Sequence, residues 1–326
     1  MRIGIVGAGA IGGLIGVSMG AHGHELSVLA RGETLAALRQ GAWRLTRGRE
    51  VIEAPARASD EATELGVQDI VILALKAPAL RGIAPRIAPL LGADTIVIPA
   101  MNGVPWWFLL AGAGDLPPSR LASVDPDGTI ASVIPFESVL GCVVHVAASV
   151  AAPGCAVHNS GSRIIVGEPR GGRSARLAIV AEALAHAGFD AVISERIRRD
   201  LWYKLWGNMT MNPISAVTGA TCDRILDDEL VNDFVLRVMT EAAAIGARIG
   251  CEIEERGEDR NKVTRQLGAL RTSMLQDVAA GRPLELDALL SAPCEIGRRL
   301  SIATPNMDSL LGLTRLFGRV RGLYPD

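Results

Sequence analysis

MRIGIVGAGAIGGLIGVSMGA, residues 1–21, is the stretch from which the fold can be read. Arg2–Val6 is a short β-rich run, and Gly7-Ala8-Gly9-Ala10-Ile11-Gly12 follows it directly as GxGxxG, opening a helix expected over Ile11–Ala21. In such a strand–turn–helix Gly7 permits the tight turn, Gly9 lets the backbone approach a pyrophosphate, and Gly12 lets the helix pack on the strand. The helix N-terminus adds free N–H donors and the positive end of its dipole. Residues Gly7, Ala8, Gly9, Ala10, Ile11 and Gly12 are therefore expected to hold a dinucleotide, the alternative being a glycine turn without a ligand. Seven glycines in the first twenty residues suit this reading better than a secretory signal.

Outward from the loop, the second strand, Glu25–Ala30, ends at Arg31. NAD sites usually carry Asp or Glu there for the ribose hydroxyls, whereas an arginine can grip a 2′-phosphate. Arg31 points to NADP (NADPH), with a solvated loop arginine as the alternative and Glu33 keeping NAD open. Lys76 closes the run Asp69–Leu75, and Asn102 follows Thr95–Pro99. All four features fall at carboxyl ends of expected parallel strands, where open α/β sheets bind ligands. Lys76 taken alone reads equally well as a solvated lysine.

The rest of the first half continues the alternation of strands and helices, with a helix over Ala77–Leu91 and a hairpin inserted at Ala42–Pro55. From Ser138 to Gly167 the texture becomes β-branched, as expected of antiparallel strands extending the same sheet. A helix at Ser174–Ala187 and a strand at Asp190–Ser194 come next. Beyond Glu195 the periodicity is helical throughout: Leu201–Asn212, Asp227–Ile249, Val263–Ala280, Glu285–Leu300 and Asn306–Leu316. The fold class is α/β, an N-terminal Rossmann doubly wound sheet over residues 1–194 with a C-terminal all-helical domain over 195–326.

Composition agrees with an ordinary globular chain. With 33 basic and 35 acidic residues, and no basic run, nucleic-acid or membrane-surface binding is not expected. Five scattered cysteines without a CxxC pair argue for reduced thiols and against a zinc site. His145 and His158 lie in strand-like runs and read as structural histidines. No transmembrane stretch is evident. The expected setting is cytoplasmic, and a homodimer is compatible with the sequence.

The second chemical constellation lies in LWYKLWGNMTMNP, residues 201–213. Lys204, Asn208 and Asn212 recur at i, i+4 and i+8, one face of a helix, among apolar neighbours. A polar stripe set in apolar surroundings reads as a lined pocket; a solvated amphipathic face is the alternative.

With these residues in place the chain resembles the 2-dehydropantoate 2-reductase (ketopantoate reductase) family over nearly its whole length. The resemblance rests on GAGAIG at 7–12, Arg31, LALKA at 73–77, MNGVP at 101–105, WYKLWGNMTMNPISAVTG at 202–219, TSMLQDVAAGRPLELD at 272–287 and RRLSIATPNMDSLLGL at 298–313. It implies a Rossmann domain followed by a helical domain, with the active site in the cleft between them. It further implies Lys204 as general acid, Asn208 and Asn212 as pocket residues, Ser273 as a substrate-binding hydroxyl and Glu285 as a catalytic carboxylate. Gly7, Gly9, Gly12, Arg31, Lys76 and Asn102 would touch the cofactor, Asn102 also the substrate. From the residues alone, Glu285 would read as a favourable first-turn acid and Ser273 as an ordinary helical serine.

The activity so implied is NADPH-dependent reduction of a small-molecule 2-oxo acid, 2-dehydropantoate, to pantoate, a step of pantothenate and coenzyme A biosynthesis. Val104-Pro105-Trp106-Trp107-Phe108, after the Asn-Gly, depart from the family pattern, and bulky aromatics beside the cleft would reshape the acyl pocket. That departure keeps a related reductase of another 2-oxo acid in view. A non-catalytic NADP(H)-binding sensor is the rival of a different class, disfavoured because a sensor needs no proton donor like Lys204.

Overall fold

The computed structural model describes residues 1–326. Packing divides the chain into two compact units, Met1–Met101 with Gly128–Ile197 and Asn102–Asp127 with Arg198–Asp326. The expected division at residue 194 is thereby corrected on one point: segment 102–127, expected in the first domain, belongs to the second unit.

The first unit runs β1 (Arg2–Val6), α1 (Ala10–Ala21), β2 (Glu25–Leu29), α2 (Gly32–Gln40), β3 (Trp43–Arg47), β4 (Glu50–Ala54), β5 (Arg57–Ser59), α3 (Ala62–Leu65), β6 (Ile70–Leu73), α4 (Ala77–Ile87) and β7 (Ile96–Pro99). It resumes with α5 (Thr129–Val133), β8 (Gly141–Ala152), β9 (Cys155–Gly167), α6 (Ala175–His186) and β10 (Asp190–Ser194). A parallel sheet takes the order β5-β2-β1-β6-β7, with Ile5 paired to Val28 on one side and Ile72 on the other. Buried on both faces, its central strands read as near-continuous apolar runs, as parallel strands should.

The β-rich stretch after residue 138 touches that sheet only through a parallel bridge of Val139 to Val97 of β7, and its strands build a second sheet. β8 and β9 pair antiparallel, and β9 joins the β3–β4 hairpin in a second sheet ordered β10-β9-β3-β4. This sheet covers the other side of α1. A Cβ on Gly16 would lie 2.4 Å from the Trp43 ring, and one on Gly13 would lie 2.7 Å from Ala156. Layers on both sides explain why α1 is buried from Gly12 to Met19 and has no polar face.

The second unit holds most of α7 (Ile197–Thr218), then α8 (Cys222–Asp227), α9 (Glu229–Arg248), α10 (Gly257–Arg265), α11 (Ser273–Ala279), α12 (Ala292–Arg299) and α13 (Pro305–Val320). Of the expected helices, Val263–Ala280 is broken into α10 and α11, whereas Asp227–Ile249 and Glu285–Leu300 hold with small differences at their starts. Asp228 separates α8 from α9 because its carboxylate caps Val231 N–H at 3.0 Å. Gly268, at φ +61°, lies in the turn between α10 and α11. Asp287–Ser291 forms a π turn ahead of α12, where Pro293 has no N–H to offer the Leu289 carbonyl. Conversely α7 continues past its expected end at Asn212 and carries Pro213 inside it, surrounded by buried residues.

Candidate active site

In the first unit, a pocket of about 520 Å³ lies at the carboxyl ends of β1 and β2, lined by Gly7, Ala8, Gly9, Arg31, Asp60 and Arg86 among others. Gly7 sits at φ +99°, and a Cβ there would meet the Ala74 carbonyl oxygen at 2.6 Å. A Cβ on Gly12 would fall 2.0 Å from the Gly7 oxygen, so only glycine lets helix and loop close up. Gly9 has nothing within 4 Å of its Cβ position, which leaves its backbone open to an incoming group. Together with the α1 N-terminus beginning at Ala10, these residues fit the pyrophosphate of a dinucleotide.

Arg31 precedes α2 and its side chain is exposed on the pocket wall, held by no ion pair. The second cation on that wall is Arg86, whose Nη2 donates to the Asp60 carbonyl at 2.7 Å. Lys76, at the start of α4, is not the solvated lysine that the sequence left open: its Nζ is buried, and its neighbour Leu75 is on the pocket wall. Asp60 escaped the sequence reading because β5, which it follows, is only three residues long and gave no strand signal, while Thr34 on α2 and Arg86 on α4 sit in helices where nothing marks a pocket-facing position.

In the second unit, two tryptophans set the rotation of α7. Trp202 Nε1 donates to the Ala242 carbonyl at 3.1 Å and Trp206 Nε1 to the Met239 carbonyl at 2.7 Å, both on α9. Gly246 makes room, since its Cβ would lie 2.6 Å from the Trp202 nitrogen. With that face fixed against α9, the stripe Lys204, Asn208, Asn212 is turned elsewhere. Lys204 Nζ donates to Asn102 Oδ1 at 2.9 Å. Asn208 is half-buried and Asn212 buried.

Asn102 is delivered by the loop after β7. Gly103, at φ +81°, lies so close to the π turn that a Cβ would be 2.6 Å from the Ala288 carbonyl, and Val104 N–H donates to that same carbonyl at 2.8 Å. Glu285, buried at 7% exposure, stands two residues before the turn. Ser273, at the start of α11, is exposed, and Asn212 Nδ2 approaches its Oγ at 3.5 Å. What holds α11 there was not foreseen. Thr272 accepts from Leu275 N–H at 3.2 Å and hydrogen-bonds the Ser215 hydroxyl, which itself donates to the Asn212 carbonyl at 2.9 Å. A Thr one residue before the SMLQD run was the signal, an N-cap pattern.

Trp106, Trp107 and Phe108 do not form an acyl pocket. They are 2%, 1% and 0% exposed, and Phe108 packs on Trp202 at 6.1 Å between ring centroids, so the expectation that they reshape the pocket is corrected. Thiol chemistry is also disfavoured: burial pushes Cys222 up to about 11 and Cys294 up to about 12, keeping both protonated. His158 bonds the Gly161 carbonyl, and no group of three or more His, Cys, Asp or Glu is placed to hold a metal. No helix is long and apolar enough to cross a membrane.

The sequence matches the family model described as Ketopantoate reductase PanE/ApbA over residues 3–171 and its C-terminal counterpart over 196–317. A 2-dehydropantoate 2-reductase of Mesorhizobium japonicum is 44% identical over 99% of this chain and 100% of its own. The crystal structure of a candidate ketopantoate reductase from Ralstonia solanacearum superposes with a TM-score of 0.95 at 55% identity, covering 99% of each chain. D-mandelate dehydrogenase, solved with NADH and anilino(oxo)acetate, shares the fold at 20% identity, TM-score 0.84, covering 99% of this chain and 100% of its own.

Proposed function

Because this chain belongs to the ketopantoate reductase family and is an oxidoreductase, we propose that it reduces 2-dehydropantoate to pantoate with NADPH. The observation that carries the reading is Lys204, a proton donor held by Asn102 at 2.9 Å on the same helical face as two further amide side chains. A binding protein has no use for such a donor.

When bound, the cofactor supplies hydride from its nicotinamide to C2 of the 2-oxo acid. Lys204 then delivers a proton to the carbonyl oxygen as negative charge develops there, and regains one from solvent. Asn102 orients the ammonium. Asn208, Asn212 and Ser273 offer neutral hydrogen-bond donors to the substrate oxygens, and Glu285, the catalytic carboxyl that the family resemblance implies, is buried in the same unit. Gly7, Gly9 and Gly12 would carry the pyrophosphate and Arg31 the 2′-phosphate of NADPH. Glu33, which kept NAD open, is not on the pocket wall.

The cytoplasm, where the five free cysteines stay reduced, and a place in pantothenate and coenzyme A synthesis complete the proposal. Loss of NADPH absorbance with a panel of 2-oxo acids tests it. We expect 2-dehydropantoate to give the highest kcat/KM; a different acid on top would make the protein a related reductase, and none at all would leave a sensor.

A further inference from the structure

Arg260 on α10 is a half-buried cation without a carboxylate. Its guanidinium lies over the Tyr203 ring, 5.4 Å from the centroid, and its Nε is buried with no hydrogen-bond partner. The acids around it are engaged elsewhere: Glu255 accepts from the Tyr203 hydroxyl, Glu258 pairs with Arg256 at 3.3 Å and Asp259 with Lys262 at 2.7 Å. A buried Nε–H without a partner is unfavourable, and an anion brought by a ligand would satisfy it.

Where the guanidinium rests says which anion. A Cβ on Gly207 would lie 3.3 Å from Arg260 Nη2 and 3.6 Å from Nε, so the group is flattened against the α7 backbone at that glycine. Gly207 is three residues after Lys204 and directly before Asn208, on the ridge beside the polar stripe. A 2-oxo acid brings a carboxylate bonded to the very carbon that is reduced. In the proposed reaction Lys204 is committed to the carbonyl oxygen, and Asn208, Asn212 and Ser273 are neutral. We propose that Arg260 pairs with the substrate carboxylate, an inference that rests on the site being that of a 2-oxo acid reductase. Gly207 is the opening that lets the guanidinium reach the stripe, and the Tyr203 ring holds it flat there without consuming its donors.

The test compares 2-dehydropantoate with its lactone, which presents the same ketone and no carboxylate. Arg260→Gln should raise KM for the acid about ten- to a hundredfold, the worth of a charge-assisted pair, while kcat/KM for the lactone stays within threefold. Calorimetric binding of pantoate should weaken in parallel, and NADPH affinity should not change. Arg260→Lys, which keeps the charge but not the planar fork, should fall between; it also serves if the glutamine variant melts early. Equal losses for acid and lactone in a variant with native melting, or no loss for either, would overturn the role of Arg260. A native protein that reduces no 2-oxo acid would instead overturn the function on which the role rests.

Discussion

Lys204 and Asn102, 102 positions apart in the chain, are joined by a 2.9 Å hydrogen bond from Nζ to Oδ1 within one packed unit. The lysine is therefore aimed before any substrate arrives, and the energy of orienting a long flexible side chain is already spent. Lys204→Ala should lower kcat by roughly 10²–10⁴, the usual contribution of a positioned general acid. NADPH binding, followed by fluorescence titration, should stay within a few-fold. A variant keeping more than about a tenth of native activity in single-turnover measurements would remove Lys204 from the proton transfer.

Cofactor choice should hang on Arg31. A charge-assisted pair with the 2′-phosphate contributes roughly 1.5–3 kcal/mol, which is about a tenfold to hundredfold preference for NADPH over NADH. Arg31→Asp should erase or invert that ratio when both dissociation constants are measured. Native protein with equal affinity for the two would show that Arg86 and Arg31 serve another purpose on that wall.

Gly103→Ala should damage stability and turnover together. The backbone there is left-handed and the added methyl meets the Ala288 carbonyl at 2.6 Å, so neither the turn nor its docking survives unchanged. Overpacking and left-handed strain each cost about 1–3 kcal/mol. Thermal melting should fall by several degrees and kcat should drop, because Asn102 next door can no longer hold Lys204. Native melting would mean the loop yields more easily than its contacts imply.

The Thr272 hydroxyl both caps α11 and grips Ser215. Thr272→Val removes both bonds while keeping the shape, and should raise KM for the 2-oxo acid with less effect on kcat. Thr272→Ser should restore most of the loss. If valine and serine variants behave alike in steady-state kinetics, Ser273 is placed by something other than this hydroxyl.

His24 should make the protein acid-sensitive. Burial first, then the Met1 amino group and the rings of His186 and His22, holds its pKa below the ordinary 6.5, and neither ring nitrogen has a partner. Above about pH 6.5 the ring is neutral in both folded and unfolded chains and contributes no slope. As pH falls through that value the unfolded chain takes up a proton that the folded one resists, so stability declines until the lowered folded pKa is passed, then levels. His24→Gln should flatten the fall of Tm between about pH 7.5 and about pH 5.5; an unchanged slope would assign it to other groups.

Local signals carried much of this molecule. β1 and β10 fall where the residues place them, and the four-residue rhythm of Lys204, Asn208 and Asn212 marks one face of α7. Features made by distant pairing were invisible. The second sheet depends on β3 lying parallel to β9, with Arg44 opposite Cys155, which no local pattern specifies. Asn102 could be placed at the end of a strand, but not beside Lys204. Lys76 was placed on the sheet edge, where its backbone indeed leads into α4, but no local pattern says that its Nζ is buried. Trp106–Phe108 misled because aromatic residues beside a site motif look like lining, and only packing against Trp202 reveals core.

The interleaving of the two units, with segment 102–127 completed by α7 and the later helices, has a bearing on biogenesis. On the ribosome, Asn102 and the apolar run Trp106–Leu109 emerge long before α7, since Lys204 comes 102 residues later. At roughly 5–20 residues per second that is an interval of about 5–20 s in which four large apolar side chains have no native neighbours. The nascent chain is thus a natural client for a holdase over that window, and cutting the gene into N- and C-terminal halves would strand those side chains on the wrong fragment.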